Sequence, residues 1–190
     1  MGTTITCTLI CIDSGKNQIM TSFNLGKGVD PNENKEIEFI QKIVHIKEDD
    51  DETLHFKFKV QEPIDYKKFC AIANTYYQET TAVVLVFDPA SQASYDAIEN
   101  YFIDISYFNP KKINLPLLLV CNNKGTGPRI ISEEQGKALA QKLQIPYHEG
   151  NSTEYNNIED IFSFCAREGI LKGAITRNVP ESTSFAMERH

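Results

Sequence analysis

The residues with the clearest chemical use are Gly15 and Lys16, which follow an apolar, β-branched segment at positions 4–12. A glycine in such a turn lets backbone N–H groups approach an anion, and a lysine beside it can bridge phosphate oxygens. Asn17 follows with an amide, which is a poor magnesium ligand. The turn is suited to holding a phosphate group, and a solvated turn lysine is the competing interpretation.

Other kinds of chemistry lack the residue spacing that they need. The five cysteines are scattered and form no CxxC pair, which argues against a disulfide framework and against a zinc site. The acidic run at 47–52 has neither the spaced oxygen ligands nor the glycine of a calcium loop. The net charge of −7 argues against nucleic acid as the main partner, because binding phosphates requires clustered lysine and arginine.

Hydrophobic patterning predicts the elements that must position this turn. Apolar residues alternate along positions 4–12, which predicts a strand, and a short amphipathic helix is expected at 18–23. Two further alternating runs, at 36–46 and 54–60, flank the acidic turn. They predict an antiparallel hairpin.

The rest of the chain alternates between helices and apolar strands, which predicts an α/β fold. We expect a six-stranded, mostly parallel sheet with one antiparallel edge strand and helices on both faces. Ser91 and Ser132 are the expected helix N-caps. We assign residues 1–171 to one domain and residues 172–190 to a polar tail. The remaining helices are predicted at 66–78, 91–108, 132–143 and 157–169, and the remaining strands at 81–88, 115–121 and 145–149.

A more specific pattern occupies residues 72–102. Tyr76-Tyr77 closes a predicted helix, an apolar strand ends in Phe87-Asp88, and a Ser-x-x-Ser-aromatic pattern from Ser91 to Tyr95 opens the next helix. This combination resembles the Rab branch of the Ras superfamily of small GTPases, and the order of elements is similar over most of the chain. The resemblance implies the P-loop small-GTPase fold.

The resemblance also implies a guanine nucleotide held with magnesium, but the phosphate-binding positions depart from the family pattern. In the loop GxxxxGK[ST], Gly15 and Lys16 match, whereas Ile10 replaces the opening glycine and Asn17 replaces the magnesium-binding hydroxyl. The first switch requires a threonine, and residues 24–38 contain neither threonine nor serine.

The remaining three motifs are also incomplete. The second switch requires DxxG and then glutamine, but no glycine occurs from residue 29 to residue 124, and Tyr66 stands at the water-orienting position. Base recognition requires NKxD, and no aspartate occurs between residues 105 and 159. The Ser-Ala-type backbone contact to the base is replaced by residues 149–152. The residues left to bind a nucleotide are Gly15, Lys16, Asn17, Asn123 and Lys124.

We therefore expect a catalytically inactive, Rab-like pseudo-GTPase that needs no cofactor or metal and has no catalytic residue. Its expected role is a constitutive protein-interaction or structural subunit of a larger assembly in trafficking, cilia or the cytoskeleton. The alternative is a divergent Rab-like switch that binds GTP or GDP weakly, without magnesium. A phospho-receiver domain using Asp13 and Lys124 is more distant, because it would lack the hairpin. Expected partner contacts are His45, Lys57, Tyr66, Phe69 and Phe185.

Membrane attachment is not expected from the sequence. Rab proteins anchor through prenylated C-terminal cysteines, whereas the last cysteine of this chain is Cys165. Gly2 fits a myristoylation pattern, but the first strand follows at once. We expect a cytoplasmic protein without a prenyl anchor, and protein partners rather than nucleic acid or a membrane.

Overall fold

The computed structural model describes residues 3–11, 16–30, 39–47, 53–61, 80–108, 115–125 and 127–173. Within these ranges the chain alternates between strands and helices, as the sequence predicts. The predicted helix at 66–78 and most of the tail at 172–190 lie outside them. The strands are β1 Thr3–Cys11, β2 Phe39–Lys47, β3 Thr53–Gln61, β4 Ala82–Phe87, β5 Leu117–Asn122 and β6 Tyr147–Gly150, and the helices are α1 Lys16–Leu25, α2 Gln92–Phe108, α3 Glu133–Leu143 and α4 Tyr155–Leu171.

Among the residues that the structure describes, the strands form one sheet of six in the order β2-β3-β1-β4-β5-β6. Only β2 and β3 pair antiparallel, so β2 is the antiparallel edge strand that the hairpin pattern predicts. The other neighbours pair in parallel, for example Leu9 with Val84 and Leu119 with Tyr147. This arrangement is that of the P-loop small-GTPase fold and confirms the predicted fold class.

The side chains of β4 alternate between two apolar layers, which explains why this strand is apolar throughout. Val84 and Val86 pack with residues of α1 and α4, whereas Val83 and Leu85 pack with residues of α2 and α3. Every residue of β4 is buried, as expected for a central parallel strand covered on both faces. The helices therefore lie on both faces of the sheet.

Two helices begin at the serines that the sequence indicates. Ser91 precedes α2, and its hydroxyl accepts a hydrogen bond from Ser94 N at 3.3 Å. Ser132 precedes α3, and its hydroxyl accepts from Gln135 N at 3.2 Å while its own N–H donates to Gln135 Oε1 at 2.8 Å. This reciprocal capping box satisfies donors that a helix start otherwise leaves unpaired.

Lys42 joins strand β2 to two helices. Its ammonium donates to the carbonyl of Phe23 in the last turn of α1 and lies 4.9 Å from the centre of the Phe23 ring. The same group lies 5.4 Å from the ring centre of Tyr155 at the start of α4. Desolvation lowers the pKa of Lys42, with a smaller opposing effect from Glu159. A cation is favourable at a helix C-terminus and over aromatic faces, so Lys42 holds the hairpin against α1 and α4.

Candidate functional site

The carboxyl ends of β4 and β5 meet at one edge of the sheet, where parallel α/β folds bind their ligands. Asp88 follows β4 directly and is 8% exposed. Its Oδ2 lies 2.8 Å from Nζ of Lys124, which follows β5, and its Oδ1 accepts from Ala90 N at 2.8 Å. The side chains of this ion pair are only 11% and 13% exposed. The charge of Lys124, a predicted nucleotide-binding residue, is therefore neutralised by Asp88 within the fold.

Asn122, which the sequence analysis did not single out, links this edge to the loop that follows β6. Its side chain is buried, and its Oδ1 accepts from Ser152 N at 3.1 Å. Asn123 N donates to Gly150 O at 2.8 Å, and Asn123 Oδ1 accepts from Gly125 N at 3.3 Å. The sequence signals for Asn122 were its place as a polar residue at the end of a buried strand and its position as a possible first residue of NKxD.

The position three residues after Asn122 is Gly125. Its φ of +67° belongs to the left-handed region that glycine adopts readily, and a Cβ placed there would meet nothing within 4 Å. If Asn122 is taken as the first residue of NKxD, Gly125 occupies the position of the aspartate that pairs with the base. The carboxylate is absent in this register as well as in the one beginning at Asn123.

The loop after α1 packs directly on the loop after β6. A Cβ added to Gly28 would collide with the carbonyl oxygen of Thr153 and would lie 2.7 Å from its carbonyl carbon, closer than real Cβ contacts. The neighbouring Val29 is 7% exposed. The backbone of Gly28 therefore lies against the backbone of Thr153, one residue beyond the Asn122–Ser152 hydrogen bond, with no space for even one methyl group.

The other predicted site residues are less fully described. Lys16 is the first residue of α1, and Asn17, the second, is partly buried. His45 in β2 pairs with His55, and Lys57 in β3 pairs with Ile43, both through the backbone ladder of the hairpin. The described ranges do not include Gly15, Tyr66, Phe69 or Phe185.

A second polar cluster lies on β6. Arg129 donates to both carboxylate oxygens of Glu149, with Nη2 at 2.9 Å from Oε2, and Tyr147 donates to the same Oε2 at 2.7 Å. The Arg129 hydrogen bonds lower the pKa of Glu149, against an opposing effect of desolvation. Burial raises the pKa of the neighbouring Cys121 thiol to about 12, so this cysteine stays protonated and unreactive at neutral pH.

The lowered pKa of Glu149 predicts a pH-dependent contribution to stability. The folded chain binds this proton less tightly than the unfolded chain, so the stabilisation is complete above the ordinary carboxyl value of 4.5 and is lost as pH falls through the lowered folded pKa. We expect Glu149→Gln to reduce the urea-unfolding free energy at pH 7 and to have a shrinking effect as the buffer is taken below the ordinary value. Glu133→Gln, in the exposed pair with Lys137, should change little at any pH. A Glu149→Gln deficit that stays constant with pH would contradict the assignment.

A family model for the Ras family matches residues 12–170, which is most of the chain. The chain belongs to the Ras family. Its Ras-like topology agrees with that match, and the relatives that it resembles are Ras-related proteins of the Rab and Sec4 type.

Three of these relatives show the extent of the similarity. The chain is 31% identical over 138 residues to Ras-related protein Rab7 of Cenchrus ciliaris, covering 68% of this chain and 63% of Rab7. It is 28% identical over 113 residues to Ras-related protein RIC1 of Oryza sativa subsp. japonica, covering 59% and 55%. For Ras-related protein SEC4 of Saccharomyces cerevisiae the identity is 26% over 111 residues, covering 58% and 51%. The matched part of this Ras-family chain thus spans about half to three fifths of these relatives.

Neither a membrane-spanning helix nor a metal-binding cluster occurs among the residues that the structure describes. No helix among them is long and apolar enough to cross a membrane. The same residues contain no group of three or more histidine, cysteine, aspartate or glutamate side chains placed to hold a metal ion.

Proposed function

We propose that this Ras-family chain is a catalytically inactive, Rab-like pseudo-GTPase that serves as a constitutive protein-interaction or structural subunit of a larger assembly. The observation that carries the proposal is the contact of Gly28 with Thr153. A base held by residues after β5 and by the backbone after β6 would have to enter beside Ser152. The backbone of Gly28 already lies against Thr153, the residue after Ser152, and this contact supports the proposal.

The polar groups around this point support the same conclusion. The Ser152 N–H, a donor in the segment that replaces the base-contacting motif, already donates to Asn122. Lys124 is paired with Asp88, and Gly125 supplies no carboxylate for the two N–H donors of a guanine edge. A buried donor pair left without its acceptor costs about 1–3 kcal/mol. These features of the described residues argue against a bound guanine base.

The phosphate side of the site supports loss of hydrolysis. Asn17 stands in place of the magnesium-binding hydroxyl, and Tyr66 stands in place of the glutamine that orients water. Without these groups the γ-phosphate has neither its metal nor its attacking water in position. A surface that no nucleotide gates would present the same shape to partners at all times, which suits a permanent subunit.

A thermal melt of the purified chain tests this proposal. We expect no change in Tm on adding millimolar GTP or GDP with magnesium, relative to magnesium alone and to ATP with magnesium. A nucleotide present at ~100 times its Kd would stabilise the fold by about 2.7 kcal/mol, or several degrees. A guanine-specific, magnesium-dependent rise in Tm that Lys16→Ala removes would contradict the proposal and favour a Rab-like nucleotide switch.

A further inference from the structure

Helix α2 carries two exposed apolar side chains one turn apart. Ile103 is 62% exposed and Tyr107 is 76% exposed, and residues four apart are neighbours on a helix surface. The other large apolar side chains exposed in the described part of the chain stand singly, on separate elements: Leu25, Ile130 and Leu171. Scattered single residues of this kind are ordinary, whereas Ile103 and Tyr107 adjoin and so form one apolar patch.

The same helix is acidic. Its residues include Asp96, Glu99 and Asp104 and no lysine or arginine. Glu99 is paired with Lys142 of α3 through both oxygens at 2.7 Å. Asp96 is exposed, lies two turns before Ile103 on the same side of the helix, and accepts from the neutral amide of Gln92 at 2.7 Å. An exposed carboxylate therefore lies in line with the apolar pair.

We propose that the outer face of α2, formed by Asp96, Asn100, Ile103 and Tyr107, binds a basic amphipathic helix of a partner protein. Ile103 and Tyr107 contact the apolar side of that helix, and Asp96 pairs with a lysine or arginine two turns away from this contact. The inference rests on the proposed function, since it names the partner chemistry of a constitutive interaction surface.

Charge decides among the possible occupants of this face. A second copy of the chain would place the same acidic helix against itself, and like charges across an interface cost binding energy. An anionic membrane surface would be repelled by Asp96 and by the net charge of −7. A basic amphipathic helix satisfies both the apolar pair and the carboxylate.

The test uses the full chain and a fluorescent 14-residue helical peptide of leucine and lysine with one apolar face. Two control peptides have the same length. One carries glutamate in place of every lysine and tests the charge, and the other carries glutamine in place of every leucine and tests the apolar face. Fluorescence anisotropy should show binding of the leucine–lysine peptide alone. Ile103→Ser and Tyr107→Ser should each weaken it at least tenfold, and Asp96→Asn should weaken it and flatten its salt dependence.

Leu171→Ser is the matched control, because Leu171 is 78% exposed and lies outside α2. It should leave the peptide affinity unchanged. Equal weakening by Leu171→Ser, or no weakening by either α2 variant, would overturn the surface assignment. A dimer in light scattering that Tyr107→Ser dissolves would also overturn it, in favour of self-association. No nucleotide is present in the peptide measurements. A failure of the peptide to bind would overturn the α2 surface, whereas a guanine-specific rise in Tm in the nucleotide melt would contradict the proposed function.

Discussion

Replacing Gly28 with alanine is expected to lower the free energy of unfolding by about 1–3 kcal/mol, although it adds a single methyl group. The methyl group would collide with the backbone carbonyl of Thr153, which cannot move aside as a flexible side chain could. Either the loop after α1 or the loop after β6 must therefore shift. The loss is measurable by urea unfolding, and the Tm should fall by roughly 2–4 °C per kcal/mol.

Gly127→Ala is the matched control for this substitution. Gly127 also lies in a loop, neither glycine has a positive φ, and a Cβ at Gly127 would make an ordinary 3.5 Å contact with the Ala90 side chain. It should be neutral, or stabilise the chain by up to about 1 kcal/mol by restricting the unfolded state. If Gly28→Ala proves no more harmful than Gly127→Ala, the two loops do not lie in contact, and the proposal loses the observation that carries it.

A second large effect is expected at the ion pair between the ends of β4 and β5. Asp88→Asn should destabilise the fold by about 3 kcal/mol, because it leaves the Lys124 ammonium largely buried without its counter-charge. We expect the low end of the range for buried pairs, since about a tenth of each side chain still meets water. Asparagine keeps an oxygen for the Ala90 N–H, so the change isolates the charge.

Two comparisons make this experiment decisive. Glu99→Gln removes one charge from the exposed pair with Lys142 and should cost at most about 1 kcal/mol. Adding Lys124→Met to Asp88→Asn removes the unpaired charge and should recover part of the lost stability. An effect of Asp88→Asn no larger than that of Glu99→Gln would mean that the Lys124 charge is not committed to Asp88. It would then be available to a nucleotide.

The fold could be predicted from the sequence because its signals are local. The apolar run of β4 reflects burial on both faces, and the capping box at Ser132 fixes the start of α3 within one turn. The predicted helix boundaries were less accurate where no side-chain cap marks the first residue of the helix. The last helix begins at Tyr155 rather than at residue 157, and Glu154 before it makes no side-chain capping bond.

The geometry of the site could not be predicted in the same way, because its contacts join distant parts of the chain. The Asn122–Ser152 hydrogen bond and the Gly28–Thr153 contact depend on tertiary packing, and neither residue pair carries a sequence pattern. The absence of the NKxD aspartate was evident from the sequence, because no aspartate occurs from residue 105 to residue 159 in any register of the motif. The chemical groups that are missing could thus be predicted, but the groups that replace them could not.

The contacts of Lys42 bear on how quickly a partner could bind this chain. Because its ammonium meets the Phe23 carbonyl and two aromatic rings, β2 is set in one orientation on α1 and α4 before any partner arrives. The ordering cost of that orientation is met during folding, so it does not reduce the affinity of a later complex. Association at the hairpin would then need no prior rearrangement, and its rate should fall in the ordinary range of about 10⁵–10⁷ M⁻¹s⁻¹ for preformed surfaces.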